Sequence, residues 1–235
     1  MKYKNLVKRI GCKILFVLLA FMLGWLFGMA INFFHGKDQM TETLSTAAEE
    51  GKKQIAITFD DGPNPEYTMK LLEGLKKRGV KATFFVLGEE VERYPDILKA
   101  AYDDGHLIGV HSYQHVNFGQ IGDAAALEQV EKTRQAIYDV TGEYTGYIRP
   151  PYGCWKKELD QKLLMIEVLW DIDPLDWATK DADTVVQRVL QKCPDGSIIL
   201  LHDASESSVC AAFTIIDTLQ KQGYEFVTVE ELMLE

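Results

Sequence analysis

An alternation constrains the fold most. Seven short apolar runs, QIAITF, ATFFVL, LIGVHS, GYIRPPY, IEVLWDID, SIILLHD and FVTV, recur along residues 54–229, each bounded by Gly, Pro or Asp. The longer stretches between most of them, PEYTMKLLEGLKKRG, ERYPDILKAAYDDG, AAALEQVEKTRQAIYDVTG, ADTVVQRVLQK and AAFTIIDTLQKQG, place apolar residues at helical spacing, often with Gly as the stop. Strand and helix in alternation predict an α/β fold: a parallel sheet of about seven strands, closed into a barrel. No repeat of about 20–50 residues argues instead for a solenoid.

The N-terminus is a separate matter. From Ile14 to Phe34, 21 consecutive residues carry no charge, about the length needed to cross a bilayer. Lys2, Lys4, Lys8, Arg9 and Lys13 precede them without an acidic residue, which keeps that end cytoplasmic and sends the rest across. A cleaved signal peptide is the competing reading. Its apolar core is normally shorter and ends in small residues, whereas Trp25, Phe27, Phe33 and Phe34 continue this one. The expected organisation is a basic cytoplasmic segment at 1–13, a transmembrane signal-anchor at 14–34, a linker at 35–53 and a catalytic domain at 54–235. The chain is then a single-pass protein of the cell membrane, with its domain extracytoplasmic.

Setting aside those five cations leaves 20 basic residues against 35 acidic ones, which argues against nucleic acid as a partner. Cys12 lies at the membrane edge, and Cys154, Cys193 and Cys210 permit at most one disulfide among themselves. The pattern names no protein partner.

Polar clusters end the apolar runs. In ITFDDGP, Gly62 and Pro63 turn the chain after Asp60 and Asp61, so the two carboxylates can point in different directions. HSYQH places His111 and His115 four residues apart, able to converge on one ion with an oxygen from Asp61; two His and a carboxylate suit Zn²⁺ with open positions. RPPYG offers Arg149 as a fixed cation and the Tyr152 N–H beside Gly153, a stiff turn suited to an oxyanion. WDIDPLDW brings Asp173, Asp176 and Trp177 to another strand end, and ILLHD brings His202, a candidate acid if a carboxylate tunes it. Each cluster alone also reads as structural: Asp-Gly as a turn, paired histidines as core residues. Five at successive strand ends are what a barrel does with an active site.

In their order, TFDDG, HSYQH, RPPYG, DPLDW and LLH resemble the five-motif signature of the polysaccharide deacetylases of carbohydrate esterase family four, the NodB-homology domain, over Gln54 to Glu235. The resemblance implies a deformed (β/α) barrel and a metal-dependent hydrolase that removes acetyl groups from sugar polymers. It implies Asp60 as catalytic base, with Arg149 contacting it, and Asp61, His111 and His115 as ligands of a divalent metal, Zn²⁺ first, with Co²⁺ or another divalent ion as alternatives. It further implies His202 as catalytic acid paired with Asp176, Asp173 being the fallback partner, and Tyr152, Trp177 and Leu200 as the oxyanion and acetyl pocket. His106 is left structural, and Cys154 is expected to be a buried, inert thiol. The membrane anchor favours peptidoglycan as substrate, at N-acetylglucosamine or N-acetylmuramic acid. Chitin-like, exopolysaccharide or O-acetylated xylan chains are the alternatives, and a catalytically silent carbohydrate-binding module is the reading of another class.

Overall fold

The computed structural model describes residues 52–234. The basic segment, the signal-anchor and nearly all of the linker fall outside those residues. Among the described residues, no helix is long and apolar enough to cross a membrane.

Seven strands are described: β1 (Lys53–Asp60), β2 (Thr83–Val86), β3 (Leu107–Val110), β4 (Tyr147–Ile148), β5 (Ile166–Glu167), β6 (Ser197–His202) and β7 (Tyr224–Val227). All pair in parallel, in the order β5-β4-β3-β2-β1-β6, with β7 beside β1. β6 runs along one edge of β1 from Ile55 to Asp60, while β2 and β7 divide the other edge between its two halves. The chain beyond β5 then curls the sheet. The Val168 N–H donates to the Ile148 carbonyl of β4 at 2.8 Å, and four residues later Ile172 bridges to Ile199 of β6.

The helices are α1 (Thr68–Arg78), α2 (Gly88–Arg93), α3 (Pro95–Asp103), α4 (Asp123–Thr141), the single turn α5 (Asp160–Leu163), α6 (Ala182–Gln191), α7 (Glu206–Lys221) and α8 (Val229–Met233). Gly79 and Gly142 end α1 and α4 at φ 64° and 78°, a conformation glycine enters without a Cβ penalty.

Strand alternation sorts β1 between two cores. Ile55, Ile57 and Phe59 join the main cluster with Leu71 and Leu75 of α1 and Ile215 of α7. Ala56 belongs to a smaller cluster with Phe85, Val168 and Val229. By the same period of two, Thr58 and Asp60 share the Ala56 face.

Several expected elements are cut short, each for a local reason. β4 stops at Ile148 because Pro150 and Pro151 have no N–H to continue a ladder. Only Ile166 and Glu167 of IEVLWDID form β5. FVTV is a strand only to Val227: the Thr228 hydroxyl accepts from the Glu231 N–H and starts α8 with a capping box. Pro95 divides the helix expected in ERYPDILKAAYDDG into α2 and α3. α7 begins at Glu206, ahead of its apolar run, because Ser205 caps the Ser208 N–H.

Candidate active site

Asp60 is the last residue of β1 and pairs in register with His202, the last residue of β6, so both side chains leave the sheet at the same edge and on one face. Arg149, one residue past β4, lies between the strands with none of its side chain exposed. Its guanidinium makes four hydrogen bonds: Nη1 donates to Asp60 Oδ1 at 2.8 Å and to Thr58 Oγ1 at 2.6 Å, Nε to the Val168 carbonyl at 3.1 Å and Nη2 to the Leu169 carbonyl at 3.0 Å. Burial raises the Asp60 carboxyl above its ordinary range, against the opposing charge of Arg149.

Asp61 stands just past the strand at φ 76°; its Oδ1 and Asp60 Oδ2 approach the same nitrogen, His111 Nε2, at 3.5 Å and 3.8 Å. His111 follows β3, and its Nδ1 lies 2.7 Å from the Arg149 carbonyl. Nδ1 therefore carries the proton and donates, leaving the Nε2 lone pair facing Asp61. Burial pushes the His111 pKa down to about 3, so its imidazole is neutral at physiological pH. His111 Nε2 and His115 Nε2 each lie 3.5 Å from Asp61 Oδ1.

These residues fit a divalent ion. Tetrahedral zinc with bonds of about 2.0–2.1 Å separates its ligand atoms by about 3.3 Å. One ligand atom from each of the three residues lies within 4.8 Å of the others. Asp61 Oδ1 is buried and has no hydrogen-bond partner, although an orphaned carboxylate oxygen is costly unless a cation meets it.

Asp176 holds His202. Its Oδ1 lies 2.8 Å from His202 Nδ1, and its Oδ2 accepts the His202 backbone N–H at 2.9 Å. Burial opposes charge on this imidazole, but the hydrogen bond and the negative charges of Asp176, Asp60 and Asp61 prevail and raise its pKa to about 9. Asp173 is not the partner: its Oδ1 accepts the Leu175 N–H at 2.8 Å within its own loop.

A cavity of about 420 Å³ joins these groups, lined by Asp60, Asp61, His111, His115, Tyr152, Trp170, Asp173, Trp177, Leu200 and His202. A second hollow shares His115 and Tyr152 with it and continues past Asn117 and Gln120. Tyr152 sits at φ 61° with its ring edge-on to His115, centroids 4.8 Å apart. Trp177 is exposed at the rim and Leu200 buried beneath. Among the described residues, six besides glycine have positive φ, and Asp61, Ser112, His115, Tyr152 and Leu175 are five of them, all in the loops around this cavity. Strain of that kind gathers where geometry serves a site.

The sequence motifs did not single out Trp170, which walls the cavity and lies 5.7 Å from the Arg149 guanidinium. Its place beside the Asp173 cluster was the available signal. They also passed over Asp203, buried and bonded to the Thr68 hydroxyl, with burial raising its pKa to about 7. It lies against Gly62, where an added Cβ would stand 2.4 Å from a carboxylate oxygen. His106 is buried away from the cavity, accepting the Ala82 N–H at Nδ1 over 3.1 Å. Cys154, Cys193 and Cys210 are free thiols, and Cys154 is half-buried, not enclosed as expected.

A family model described as polysaccharide deacetylase matches residues 47–167. The chain is 38% identical over 180 residues to the peptidoglycan-N-acetylglucosamine deacetylase PgdA of Listeria monocytogenes, covering 77% of this chain and 39% of that protein. It is 41% identical over 195 residues to the peptidoglycan-N-acetylmuramic acid deacetylase PdaC of Bacillus subtilis, covering 81% and 42%. The chain thus spans about two fifths of the length of these relatives. The solved structure of that Bacillus subtilis deacetylase superimposes with a TM-score of 0.76 at 42% identity, covering 78% of this chain and 91% of the other. A Bacillus anthracis protein described as a CE4 family pseudoenzyme also superimposes, with a TM-score of 0.73 at 31% identity, covering 77% and 66%.

Proposed function

The chain belongs to the polysaccharide deacetylase family, and from that premise we propose that it hydrolyses the N-acetyl groups of peptidoglycan amino sugars, N-acetylglucosamine or N-acetylmuramic acid. One observation carries the reading: a buried carboxylate, an Asp-His-His cluster fit for a metal and a charged histidine all face one cavity.

Asp61, His111 and His115 would hold a divalent ion, Zn²⁺ first, which supplies Lewis-acid polarisation of the acetyl carbonyl and a more acidic water. Asp60 takes the proton from the attacking water. Arg149 keeps the Asp60 carboxylate aimed through a fixed hydrogen bond at 2.8 Å, with two carbonyls and Thr58 keeping Arg149 itself in place. The Tyr152 N–H donates to the oxyanion as charge develops on the acetyl oxygen. His202, charged through Asp176, gives its proton to the leaving amine, which would otherwise depart as a poor anionic leaving group. Trp177 and Leu200 enclose the acetyl methyl, and Trp170 closes the wall behind Arg149.

The fold by itself does not imply chemistry, since a pseudoenzyme shares it. Here the candidate base, acid and metal-ligating residues are all present on one cavity, which favours an enzyme over a silent carbohydrate-binding module. The uncharged stretch Ile14–Phe34 and the cations before it support an extracytoplasmic, membrane-tethered domain, beside the cell's own wall polymer.

Acetate release by the purified chain tests this, with peptidoglycan, N-acetylglucosamine oligomers and O-acetylated xylan as substrates. Release from the first two that requires both a divalent metal and Asp60 is the expected result. Release only from xylan would reassign the bond to an ester, and none from any, with metal bound, would favour the silent module.

A further inference from the structure

The loop carrying the two histidines is held in a conformation its own residues resist. Ser112 has φ 67° and His115 φ 53°, a region that residues with a Cβ enter against steric opposition. Those two reversals within four residues bring the second imidazole back onto the first, ring centroids 5.1 Å apart. The sheet cannot impose this, because the β3 ladder ends where the His111 N–H donates to the Val86 carbonyl at 2.9 Å.

The restraint comes from two helices. From α2, the Gly88 N–H donates to the Ser112 carbonyl and the Glu89 N–H to the Tyr113 carbonyl, both at 3.1 Å. From α4, a single atom, Gln129 Oε1, accepts the Tyr113 N–H at 3.0 Å and the Gln114 N–H at 2.9 Å. The Tyr113 hydroxyl adds a bond to Glu92 Oε2 at 2.8 Å. The packing leaves no slack: a Cβ on Gly88 would stand 2.4 Å from Tyr113 Cδ2 and 2.6 Å from Thr133 Oγ1, one turn beyond Gln129 on α4.

We propose that Gln129 is a positioning residue of the metal centre: its carbonyl oxygen, by holding two consecutive N–H groups between the ligands, fixes His115 against His111 and Asp61 and thereby sets metal affinity. This rests on reading Asp61, His111 and His115 as metal ligands. The task needs one side-chain oxygen with two lone pairs at that reach. Glutamate supplies it; leucine and methionine, both good helix formers, keep the helix but not the acceptor.

The test compares the full-length chain with its Gln129→Glu, Gln129→Leu and Gln129→Met variants, the last in case leucine prevents folding. The Zn²⁺ dissociation constant is measured by competition with a chromogenic chelator, together with the Co²⁺ absorption spectrum and the Tm of the metal-free proteins. Groups that orient ligands typically change affinity by about 10–100-fold. The expected result is weakening of that size and a changed Co²⁺ spectrum in the leucine and methionine variants, with glutamate within about threefold of the parent. Unchanged Zn²⁺ affinity beside a lowered Tm would overturn the proposal in favour of simple structural support. A glutamate variant as weak as leucine would overturn the acceptor argument. A parent chain that binds no Zn²⁺ would overturn the metal reading beneath it. A parent that binds Zn²⁺ but releases no acetate would sink only the proposed activity, and the comparison of affinities would still decide for or against Gln129.

Discussion

Asp176 grips His202 at two points, Oδ1 at 2.8 Å from the imidazole Nδ1 and Oδ2 at 2.9 Å from the backbone nitrogen. The carboxylate thereby fixes both the direction of the ring and its charge, with the pKa raised to about 9.

That charge has a pH signature. An acid whose pKa is about 9 keeps its proton across neutral pH and loses it above, so kcat/KM should fall on an alkaline limb near pH 9. Asp176→Asn removes the raising charge, and the limb should move down by at least about one unit in a pH–rate profile. An unmoved limb would assign it to another group.

The same pair contributes to stability. Because the folded pKa lies above the ordinary 6.5, the contribution is fully present below about pH 6.5 and lost as pH rises through about 9. A shift of this size corresponds to roughly 3 kcal/mol. The Tm difference between the parent and Asp176→Asn, both metal-free, should therefore be widest near pH 6 and narrow toward pH 10.

Asp60→Asn keeps the shape of the site and removes the proposed base. Acetate release should fall by about 10²–10⁴-fold, the usual worth of a positioned general base. Zn²⁺ binding should persist, since Asp61 and the two histidines are untouched; calorimetry on the variant checks this. Loss of metal together with activity would mean that Asp60 is a ligand as well.

Arg149 ties β1 to the chain beyond β5 beside the cavity. Arg149→Leu would strand the buried Asp60 carboxylate and two carbonyls, a loss of about 3–5 kcal/mol for a broken buried pair. In a chain of this size that is a Tm drop on the order of 10 °C by thermal denaturation. Arg149→Lys should rescue little, because an ammonium cannot reproduce the planar fork that meets four oxygens.

Gly62→Ala would place a Cβ 2.4 Å from an Asp203 oxygen. The expected cost is about 1–3 kcal/mol, the range for overpacking a filled site. Shortening the obstacle with Asp203→Ser should recover part of it, read in a double-mutant cycle of denaturation midpoints as a double variant less destabilised than the sum of the two singles. Strict additivity would show that the two residues do not meet.

The sequence by itself determined the alternation of strands and helices, the chemistry available at each strand end and the order of the five polar clusters. These are local properties: period, turn residues and ligand type lie within a few positions of one another in the chain. That Asp60 and Asp61 could take different surroundings was legible as well, because Gly62 and Pro63 turn the chain just beyond them.

Tertiary structure decided the rest. Composition alone offers both Asp173 and Asp176, the family resemblance ranks Asp176 first with Asp173 as the fallback, and the approach of the Asp176 loop to β6 makes it the partner of His202. Arg149 meets Thr58 and Asp60, some ninety residues away in sequence, because β4 and β1 lie in one curled sheet. Gln129 lies in no motif, and Trp170 opens the WDIDPLDW cluster with no role assigned to it, since what each does depends on a neighbour brought to it by packing. A side chain's chemistry is written in its type; its partner is set by the distances that folding closes.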